Sequence, residues 1–334
     1  MATTTMEGPS AVAANQASAD DGRSMQSPWS DRIFRIVTAG AAWLVLLLLL
    51  GTAISMAWGG RLAFTTFGTK FVTSTEWDVV QAQFGALVPI YGTLMSSLIA
   101  MVIAVPVSIG IALFLTDIAP RWSRGPIGIA IELLAAIPSI IYGMWGLFVL
   151  APFLSNHVEP WLNDHLGTSP LIGPLFSGPP IGIGMLSAGI VLGIMIIPFI
   201  ASVARDVFSA VPSALKEAAV ALGATRWEIL SRVTLPYTRS AVVGAIFLGL
   251  GRALGETMAV TFVIGNSHDL SASLLMPANS IAASIANEFT EADTPLYRSS
   301  LIALAFLLFV VTFIVLMLAK LMLSRMDRVA GRTH

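Results

Sequence analysis

Six long apolar segments, separated by shorter polar ones, constrain this chain more than any other feature of its sequence. We place them near residues 33–57, 88–115, 127–153, 183–204, 238–264 and 299–323. Each is long enough for a helix to cross the hydrocarbon layer of a bilayer, which takes about 20 residues. Inside a bilayer every backbone polar group must be hydrogen-bonded within the protein, and a helix meets this requirement by itself. The sequence therefore predicts an all-α integral membrane protein with about six transmembrane helices.

The composition narrows the class of protein further. Hydrophobic residues make up 56% of the chain and charged residues only 11%, which excludes an ordinary soluble domain. The chain has no cysteine, so disulfides, thiolate metal sites and cysteine catalysis are excluded. The four histidines show no metal-ligand spacing, no basic patch suits nucleic acid, and no glycine-rich phosphate-binding loop occurs. We therefore expect no catalytic site, no metal, no bound cofactor and no nucleic-acid partner.

Lysine and arginine are distributed unevenly between the two sides of the predicted membrane. If the N-terminus is cytoplasmic, fourteen of them fall on the cytoplasmic side, and the outer loops keep only Arg61, Lys70 and Arg298. Cytoplasmic loops of membrane proteins carry such an excess of positive charge. The sequence thus predicts that both termini, and the polar loop between the fourth and fifth spans, lie in the cytoplasm.

That polar loop, residues 217–236, begins with the pattern of a short helix. Apolar residues recur there at i, i+3, i+4 and i+7: Leu215, Ala218, Ala219 and Leu222. This spacing puts one small apolar face on a helix. Gly223 follows directly, as a glycine does when it ends a helix.

A second short helix is predicted to follow the turn. Thr225 and Glu228 have the spacing of a capping box, and Pro236 is expected to end the helix that the box begins. Many membrane proteins carry amphipathic helices that merely lie on the lipid surface. Here the charges do not segregate to one face, and alanines are too small to anchor a helix in lipid. We therefore predict a compact protrusion of two helices.

The loop also resembles a family motif, which is carried by Glu217, Ala218, Ala219, Gly223, Val233, Leu235 and Pro236. It is similar to the EAA loop of ATP-binding-cassette (ABC) importer permeases, although Val233 stands where that family more often has isoleucine. The resemblance implies the type I ABC-importer permease fold, with the loop docked in a groove of a cytoplasmic ATPase subunit that uses the ATP. It also implies that the alanines permit close approach, that Gly223 sets the bend, and that Glu217 caps a helix or pairs across the contact.

Two charged residues, Arg252 and Glu256, lie inside the fifth predicted span. An arginine at the centre of a membrane helix costs roughly 2.5 to 3.5 kcal/mol or more, so it should face a partner or a water-filled cavity. Four residues apart on one helix, the two side chains would share a face. They would then form either an internal ion pair or an anion site on the translocation path. We favour the anion site, because ionisable residues inside a membrane are functional by default.

The residue types at this position suit an oxyanion. The planar fork of Arg252 matches a tetrahedral oxyanion, and neighbouring glycines, among them Gly251 and Gly255, would let a ligand approach the backbone. Phosphate near pH 7 keeps a hydroxyl hydrogen that an ionised Glu256 can accept, whereas sulfate has none. We therefore expect Glu256 to discriminate phosphate from sulfate.

Two strings of residues carry a narrower resemblance. Gly251 to Val260 (GRALGETMAV) and Glu132 to Gly143 (ELLAAIPSIIYG) are similar to segments of the permeases of phosphate-specific (Pst) importers. Met258-Ala-Val and the long polar N-terminus resemble the PstC type. The resemblance implies a place in the bacterial inner membrane, a second permease of the PstA type and two copies of a PstB-type ATPase. It also implies delivery of phosphate by a PstS-type binding protein outside the membrane.

The third span carries further candidates for the path or a gate, namely Glu132, Pro138, Ser139 and Tyr142. Pro138 removes one helix hydrogen bond and should bend the span, and at membrane depth the freed carbonyl needs another partner. Glu132, towards the cytoplasmic end, would either join Arg252 or reach the membrane interface.

The outer segments 154–182 and 265–298 are long and carry acidic residues, namely Glu159, Asp164, Asp269, Glu288, Glu291 and Asp293. They read either as a solvated lip or as the contact for a binding protein. A short helix is expected between Ser280 and Phe289.

The predictions divide the chain into four parts: a disordered cytoplasmic tail (1–28), the first transmembrane helix with an outer loop (29–87), the permease core (88–323) and a cytoplasmic C-terminal tail (324–334). Three alternatives to a phosphate permease of the PstC type stay open. A permease for another oxyanion, such as sulfate or molybdate, or a PstA-type subunit would share the EAA loop. An ion-coupled secondary transporter or channel would have no use for that loop, and a non-transport scaffold leaves Arg252 unexplained.

Overall fold

The computed structural model describes residues 28–170 and 172–330. Most of the predicted N-terminal tail (1–28) and residues 331–334 of the predicted C-terminal tail lie outside the described residues. Within the described chain, six helices are long and apolar enough to cross a membrane, as the hydropathy pattern predicts. They run over Asp31–Gly59, Leu87–Ile118, Ser139–His165, Met185–Ser209, Arg226–Leu254 and Pro295–Arg325.

The first helix, α1 (Pro28–Gly59), exposes its apolar side chains throughout residues 31–52. None of the residues in its most apolar stretch is buried. Its two interior threonines each bond the carbonyl four residues earlier, so that Thr38 and Thr52 leave no free hydroxyl on the apolar surface. This composition suits a helix surrounded by lipid. The chain divides into two compact units, Met1–Ser55 and Met56–His334.

Small elements that hydropathy does not reveal follow the first span: α2 (Arg61–Phe67), α3 (Lys70–Thr73) and a hairpin of β1 (Trp77–Asp78) and β2 (Gln83–Phe84). The strands are antiparallel, with Trp77 opposite Phe84. Phe71 is fully buried and meets the ring of Phe64 edge-on. Aromatic packing of this kind anchors short elements that would be unstable alone.

The centre of the core is the pairing of α4 (Leu87–Leu113) with α9 (Met185–Ser209). A π-turn, Phe114–Ile118, extends α4. Small residues let the two helices approach closely, since a Cβ at Gly193 would lie 3.3 Å from the Ala100 carbonyl oxygen. Lipid tails are as apolar as the helix side chains, so the hydrophobic effect does not drive two membrane helices together. Close packing of this kind does so instead.

The third span lies further along the chain than the predicted 127–153. Helix α5 (Arg121–Ala135) ends before Pro138, and a new helix starts at Ser139. This second helix runs to His165 through α6 (Ser139–Trp145), a π-turn (Gly146–Leu150), α7 (Ala151–Phe153), a π-turn (Leu154–Val158) and α8 (Glu159–His165). The predicted bend at Pro138 is therefore a complete break, because proline lacks the N–H and disfavours a helical residue before it.

The fifth span differs from its prediction at both ends. Helix α10 (Ser213–Ala221) lies before it. The span begins with α11 (Arg226–Ile229) and a π-turn (Leu230–Thr234) and continues as α12 (Leu235–Leu254), and α13 (Met258–Val263) follows after a break. The expectation that Pro236 ends a helix is wrong, because Pro236 stands in the first turn of α12, where its missing N–H is tolerated. The predicted span 238–264 is interrupted at residues 255–257.

The remaining elements are a 3₁₀ turn (Gly173–Leu175), α14 (Ile281–Glu288) and α15 (Pro295–Ala330). Helix α14 confirms the short helix expected between Ser280 and Phe289, and the Ser280 hydroxyl caps it by accepting the N–H of Ala283 at 3.1 Å. Helix α15 continues beyond the predicted boundary at residue 323.

Two residues of the predicted acidic lip are not solvated. Glu159 is buried and accepts the N–H of Gly182 at 2.8 Å. Glu288 accepts hydrogen bonds from Trp77 Nε1 (2.8 Å) and the Tyr297 hydroxyl (2.7 Å), and it pairs with His268 Nε2 at 2.8 Å. Burial raises the pKa of the Glu288 carboxyl, but these partners together outweigh burial and hold the pKa below its ordinary value. Both carboxylates thus fasten the loops internally.

Candidate functional site

The helices that follow the two breaks pack against each other. A Cβ at Gly143 on α6 would lie 3.0 Å from the Ala259 Cα and 2.9 Å from the Phe262 ring on α13. Only a glycine permits this approach. The structure therefore brings together the two strings of residues, 132–143 and 251–260, that the sequence singled out separately.

Arg252 lies in the last turn of α12 and is exposed. Its guanidinium stands over the ring of Phe199 on α9, with 5.9 Å from Cζ to the ring centroid, a cation–π distance. Arg252 thus faces α9, and its guanidinium forms no ion pair with a carboxylate among the described residues.

Glu256 does not share a helical face with Arg252, and that expectation is wrong. Helix α12 ends at Leu254, and Glu256 lies in the break, half-buried. Its Oε1 accepts the N–H of Ala259 at 3.4 Å, so the carboxylate sits at the start of α13, where the helix dipole favours negative charge. No ion pair joins Arg252 and Glu256 among the described side chains. Of the two alternatives, the internal ion pair is therefore absent from this structure.

The break at Pro138 is completed by Tyr142. In a continuous helix the residue at 138 would donate to the Leu134 carbonyl, and proline cannot. The Tyr142 hydroxyl donates to that carbonyl instead, at 2.8 Å. Ser139, half-buried, begins the helix that follows. The freed carbonyl therefore has the partner that membrane depth requires.

Replacing Tyr142 by phenylalanine is expected to lower stability by about 1 kcal/mol, the net value of one hydrogen bond. The loss stays this small because the Ile137 N–H also reaches the Leu134 carbonyl, at 3.3 Å. The measurement is the thermal unfolding midpoint in detergent. Tyr237→Phe, at a tyrosine 58% exposed, is the control. Equal midpoints for Tyr142→Phe and the parent protein would contradict this role for the hydroxyl.

Glu132 makes no ion pair with Arg252, and it does not simply extend to the membrane interface. It pairs with Arg205 at the end of α9, with 2.9 Å between Oε1 and Nη2. Arg205 also bonds Asp206 at 3.2 Å, and its Nη1 would lie 2.9 Å from a Cβ at Gly128, so a larger residue there would make the arginine shift. In the sequence, Arg205 is only one of the positive charges that assign the cytoplasmic side of the membrane. The pair with Glu132 depends on how α5 and α9 pack, which no spacing in the sequence reveals.

The polar loop has the predicted shape. Helix α10 carries the Glu217-Ala218-Ala219 segment, and Gly223 follows it with φ of +86°, a conformation that favours glycine. The capping box is present, because the Glu228 N–H donates to Thr225 Oγ1 at 3.3 Å and the Thr225 N–H donates to Glu228 Oε2 at 2.9 Å. The first predicted helix, the turn at Gly223 and the start of the second helix are therefore confirmed, whereas the predicted end of the second helix is wrong.

The outer surface of this loop is apolar where water would favour polar residues. Leu222 is 89% exposed, Trp227 is 71% exposed and Val220 is 60% exposed. Helix α10 buries none of its residues. Beside these side chains lies a concave surface lined by Ala219, Leu222, Gly223, Ala224, Glu228, Arg232 and Val233. Exposed apolar groups rimmed by polar ones are typical of a surface that binds another protein.

The predicted loop residues divide between this surface and its base. Exposed are Glu217, Ala218, Gly223 and Pro236, and half-buried are Ala219, Val233 and Leu235. The exposed residues are therefore accessible to a partner, whereas Leu235 packs against the core and Val233 lines the concave surface.

The sequence profile of one protein family matches this chain. The family is described as "Binding-protein-dependent transport system inner membrane component", and the match covers residues 108–328. It includes both strings of residues at the helix breaks and the whole of the polar loop.

Several curated proteins are similar over nearly the full chain. The "Phosphate transport system permease protein PstC" of Xylella fastidiosa (strain 9a5c) is 60% identical over 95% of this chain and 97% of its own length. The protein of that name from Haemophilus influenzae is 54% identical over 91% of this chain and 96% of its own. A "Probable phosphate transport system permease protein PstC" of Methanocaldococcus jannaschii is 38% identical over 84% and 90%.

One solved structure has a related fold. It is a chain of the bacterial alginate ABC transporter in complex with a periplasmic protein that holds an alginate pentasaccharide. The alignment has a TM-score of 0.59, covers 90% of this chain and 98% of the other, and shows 20% sequence identity. At that identity the likeness extends to the fold alone.

Proposed function

This chain belongs to the family of binding-protein-dependent transport system inner membrane components, in its PstC branch, and we propose that it is the membrane-spanning permease subunit of an ATP-driven inorganic phosphate importer. The observation that carries the proposal is the 60% identity, over 95% of the chain, to a phosphate transport permease. The chain is a transport component and not an enzyme, and a separate ATPase subunit uses the ATP.

An inner-membrane permease of this family works with an ATPase and a binding protein. For this chain we assign the finer set, which is a PstA-type second permease, two PstB-type ATPase subunits and a PstS-type phosphate-binding protein. Both termini would lie in the cytoplasm, in keeping with the distribution of Lys and Arg. The permease core would be residues 88–323, where the paired breaks and the polar loop lie.

Arg252 would hold the anion on the path. It stands on the last turn of a helix that stops inside the predicted membrane, and no described carboxylate neutralises it. Transporters of several folds bind substrate at such interrupted helices, where irregular backbone lines a cavity. The helix beginning at Ser139 adds a dipole whose positive end lies at the neighbouring break. Positive charge from two elements therefore converges on one region.

Pro138, Ser139 and Tyr142 would form a gate beside this region. The break at Pro138 is held by a single side-chain bond, from Tyr142 to Leu134, so it can change without disturbing the rest of α6. The pair of Glu132 with Arg205 would close the predicted cytoplasmic end in this conformation. Separation of the pair would expose a second arginine to the departing anion.

Glu256 would select among oxyanions. Its Oε1 bonds the Ala259 N–H, which orients the carboxylate at the break and leaves Oε2 available to accept the hydroxyl hydrogen of phosphate. Sulfate lacks that hydrogen and would face an unanswered negative charge.

Glu256→Gln is expected to lower the preference for phosphate over sulfate by about tenfold, the effect of roughly 1.4 kcal/mol of differential binding. The measurement is uptake of radiolabelled phosphate with sulfate as competitor. Glu291→Gln, at an exposed carboxylate of the outer segment, is the matched control. An unchanged preference in Glu256→Gln would refute selection by this carboxylate.

The experiment that tests the proposed function is ATP-dependent uptake of radiolabelled phosphate into proteoliposomes that hold this chain with its copurified partners. Phosphate uptake that exceeds uptake of sulfate and molybdate is expected. Efficient competition by sulfate or molybdate would instead assign the chain to another oxyanion. Uptake that needs no ATPase would support an ion-coupled transporter or channel.

A further inference from the structure

One ion pair ties the polar loop to the membrane core. Lys216 Nζ on α10 lies 2.7 Å from Asp117 Oδ1, in the π-turn that ends the α4 helix. The two side chains are only 24% and 26% exposed. Among the described side chains no other ion pair joins residues 213–236 to a different segment. The contact is therefore a distinct junction between the loop and the second span.

Each charge of this pair is placed unfavourably within its own helix. Lys216 lies in the first turn of α10, where the helix dipole disfavours positive charge. Asp117 lies at the C-terminal end of the second span, where the dipole disfavours negative charge. Residues that contradict local preference mark functional or strained positions. Local helix stability does not account for either residue, whereas their contact with each other does.

The helix that carries Asp117 leads directly to the candidate path. Helix α4 packs along α9, and the Ser108 hydroxyl bonds the Ile197 carbonyl at 3.0 Å. Ile197 lies on α9 close to Phe199, whose ring lies under Arg252. A displacement of the loop would therefore reach the Arg252 region through packed helices.

We propose that the Lys216–Asp117 pair transmits movement of the ATPase-docked loop to the helices of the phosphate path, an inference that rests on the proposed function. Lys216 and Asp117 are positioning residues, because neither touches the substrate. The pair lets the loop pull on the end of the second span as well as on α12, to which the backbone joins it. Without the pair, the loop would still pull on α12 through the backbone, but the second span and its contact with α9 would no longer follow, and the path would respond only in part.

The test compares ATP hydrolysis with phosphate uptake in the same proteoliposomes. Lys216→Met and Asp117→Asn should each lower the phosphate imported per ATP hydrolysed by about fivefold or more, while hydrolysis continues. The exchanged variant, Asp117→Lys with Lys216→Asp, should regain about half of the lost ratio if the two residues act as a pair. Lys320→Met and Asp164→Asn, at exposed residues, are the matched controls. An unchanged ratio in the single variants, or no recovery in the exchanged one, would overturn the proposal.

A second readout separates this inference from the proposed function. Because the chain has no cysteine, a single cysteine at Ala136, exposed beside the Pro138 break, reports labelling of this chain at one position. Its labelling should depend on nucleotide in the assembled complex, and Lys216→Met should remove most of that dependence. Labelling that stays nucleotide-dependent in Lys216→Met, or never depends on nucleotide, would overturn the inference whichever anion is imported. Absence of phosphate uptake in the parent protein would count only against the proposed function.

Discussion

Arg252→Ala is expected to reduce ATP-dependent phosphate uptake by about tenfold or more while the complex still assembles. A hydrogen bond to a charged group contributes about 1.5 to 3 kcal/mol, and an arginine fork can make two of them with one phosphate. The side chain is exposed and has no carboxylate partner among the described residues, so its removal leaves no orphaned charge in the fold. The measurement is the initial rate of radiolabelled phosphate uptake, normalised to copurified ATPase.

Two further variants sharpen this result. Arg252→Lys keeps the charge but loses the planar fork, so we expect uptake between that of Arg252→Ala and the parent protein. Arg239→Ala, at an exposed arginine on the same helix, is the control and should keep near-normal uptake. Full uptake in Arg252→Ala would show that this residue is not on the path.

Gly223→Val is expected to abolish most uptake by a different route, through loss of the ATPase. Gly223 has φ of +86°, and a branched side chain in that region costs on the order of 1 to 3 kcal/mol. No atom crowds a Cβ at this position, so the cost lies in the backbone and not in a clash. The turn would relax, and α10 and α11 would no longer present Leu222 and Trp227 together. The measurement is the amount of ATPase that copurifies, alongside uptake.

Gly223→Asn provides the comparison, because asparagine tolerates the left-handed conformation. It should keep most of the copurified ATPase and most of the uptake. If Gly223→Val and Gly223→Asn lose the ATPase equally, backbone conformation is not what position 223 supplies. If neither loses it, the exposed apolar surface beside the turn is not the docking site.

Local patterns predicted much of this molecule because they depend on neighbours in sequence. The six apolar runs correspond to six membrane-length helices, since hydropathy alone decides whether a segment can lie in lipid. The capping box of Thr225 with Glu228 and the turn at Gly223 were likewise predicted, because each involves residues at most three apart. The resemblance of two strings to PstC permeases also agrees with the relatives found.

Three features depended on side-chain contacts that no spacing rule in the sequence reveals. Pro138 breaks its span, and the Leu134 carbonyl that it frees accepts the hydroxyl of Tyr142, eight positions further along the chain. Glu132 pairs with Arg205, 73 positions away, and not with Arg252. The solvent exposure of Glu288 was overestimated, because its burial depends on Trp77, which belongs to another outer segment.

Sequence patterns alone were enough to identify a membrane permease with a polar helical loop between its fourth and fifth spans and an arginine inside the fifth. Hydropathy, capping and charge act over a few residues, and each can be read locally. It took the folded chain to show that α12 ends between Arg252 and Glu256 and that the helices after the two breaks meet at Gly143. A helix can end wherever other segments satisfy its freed backbone groups, and those segments are identified only by packing.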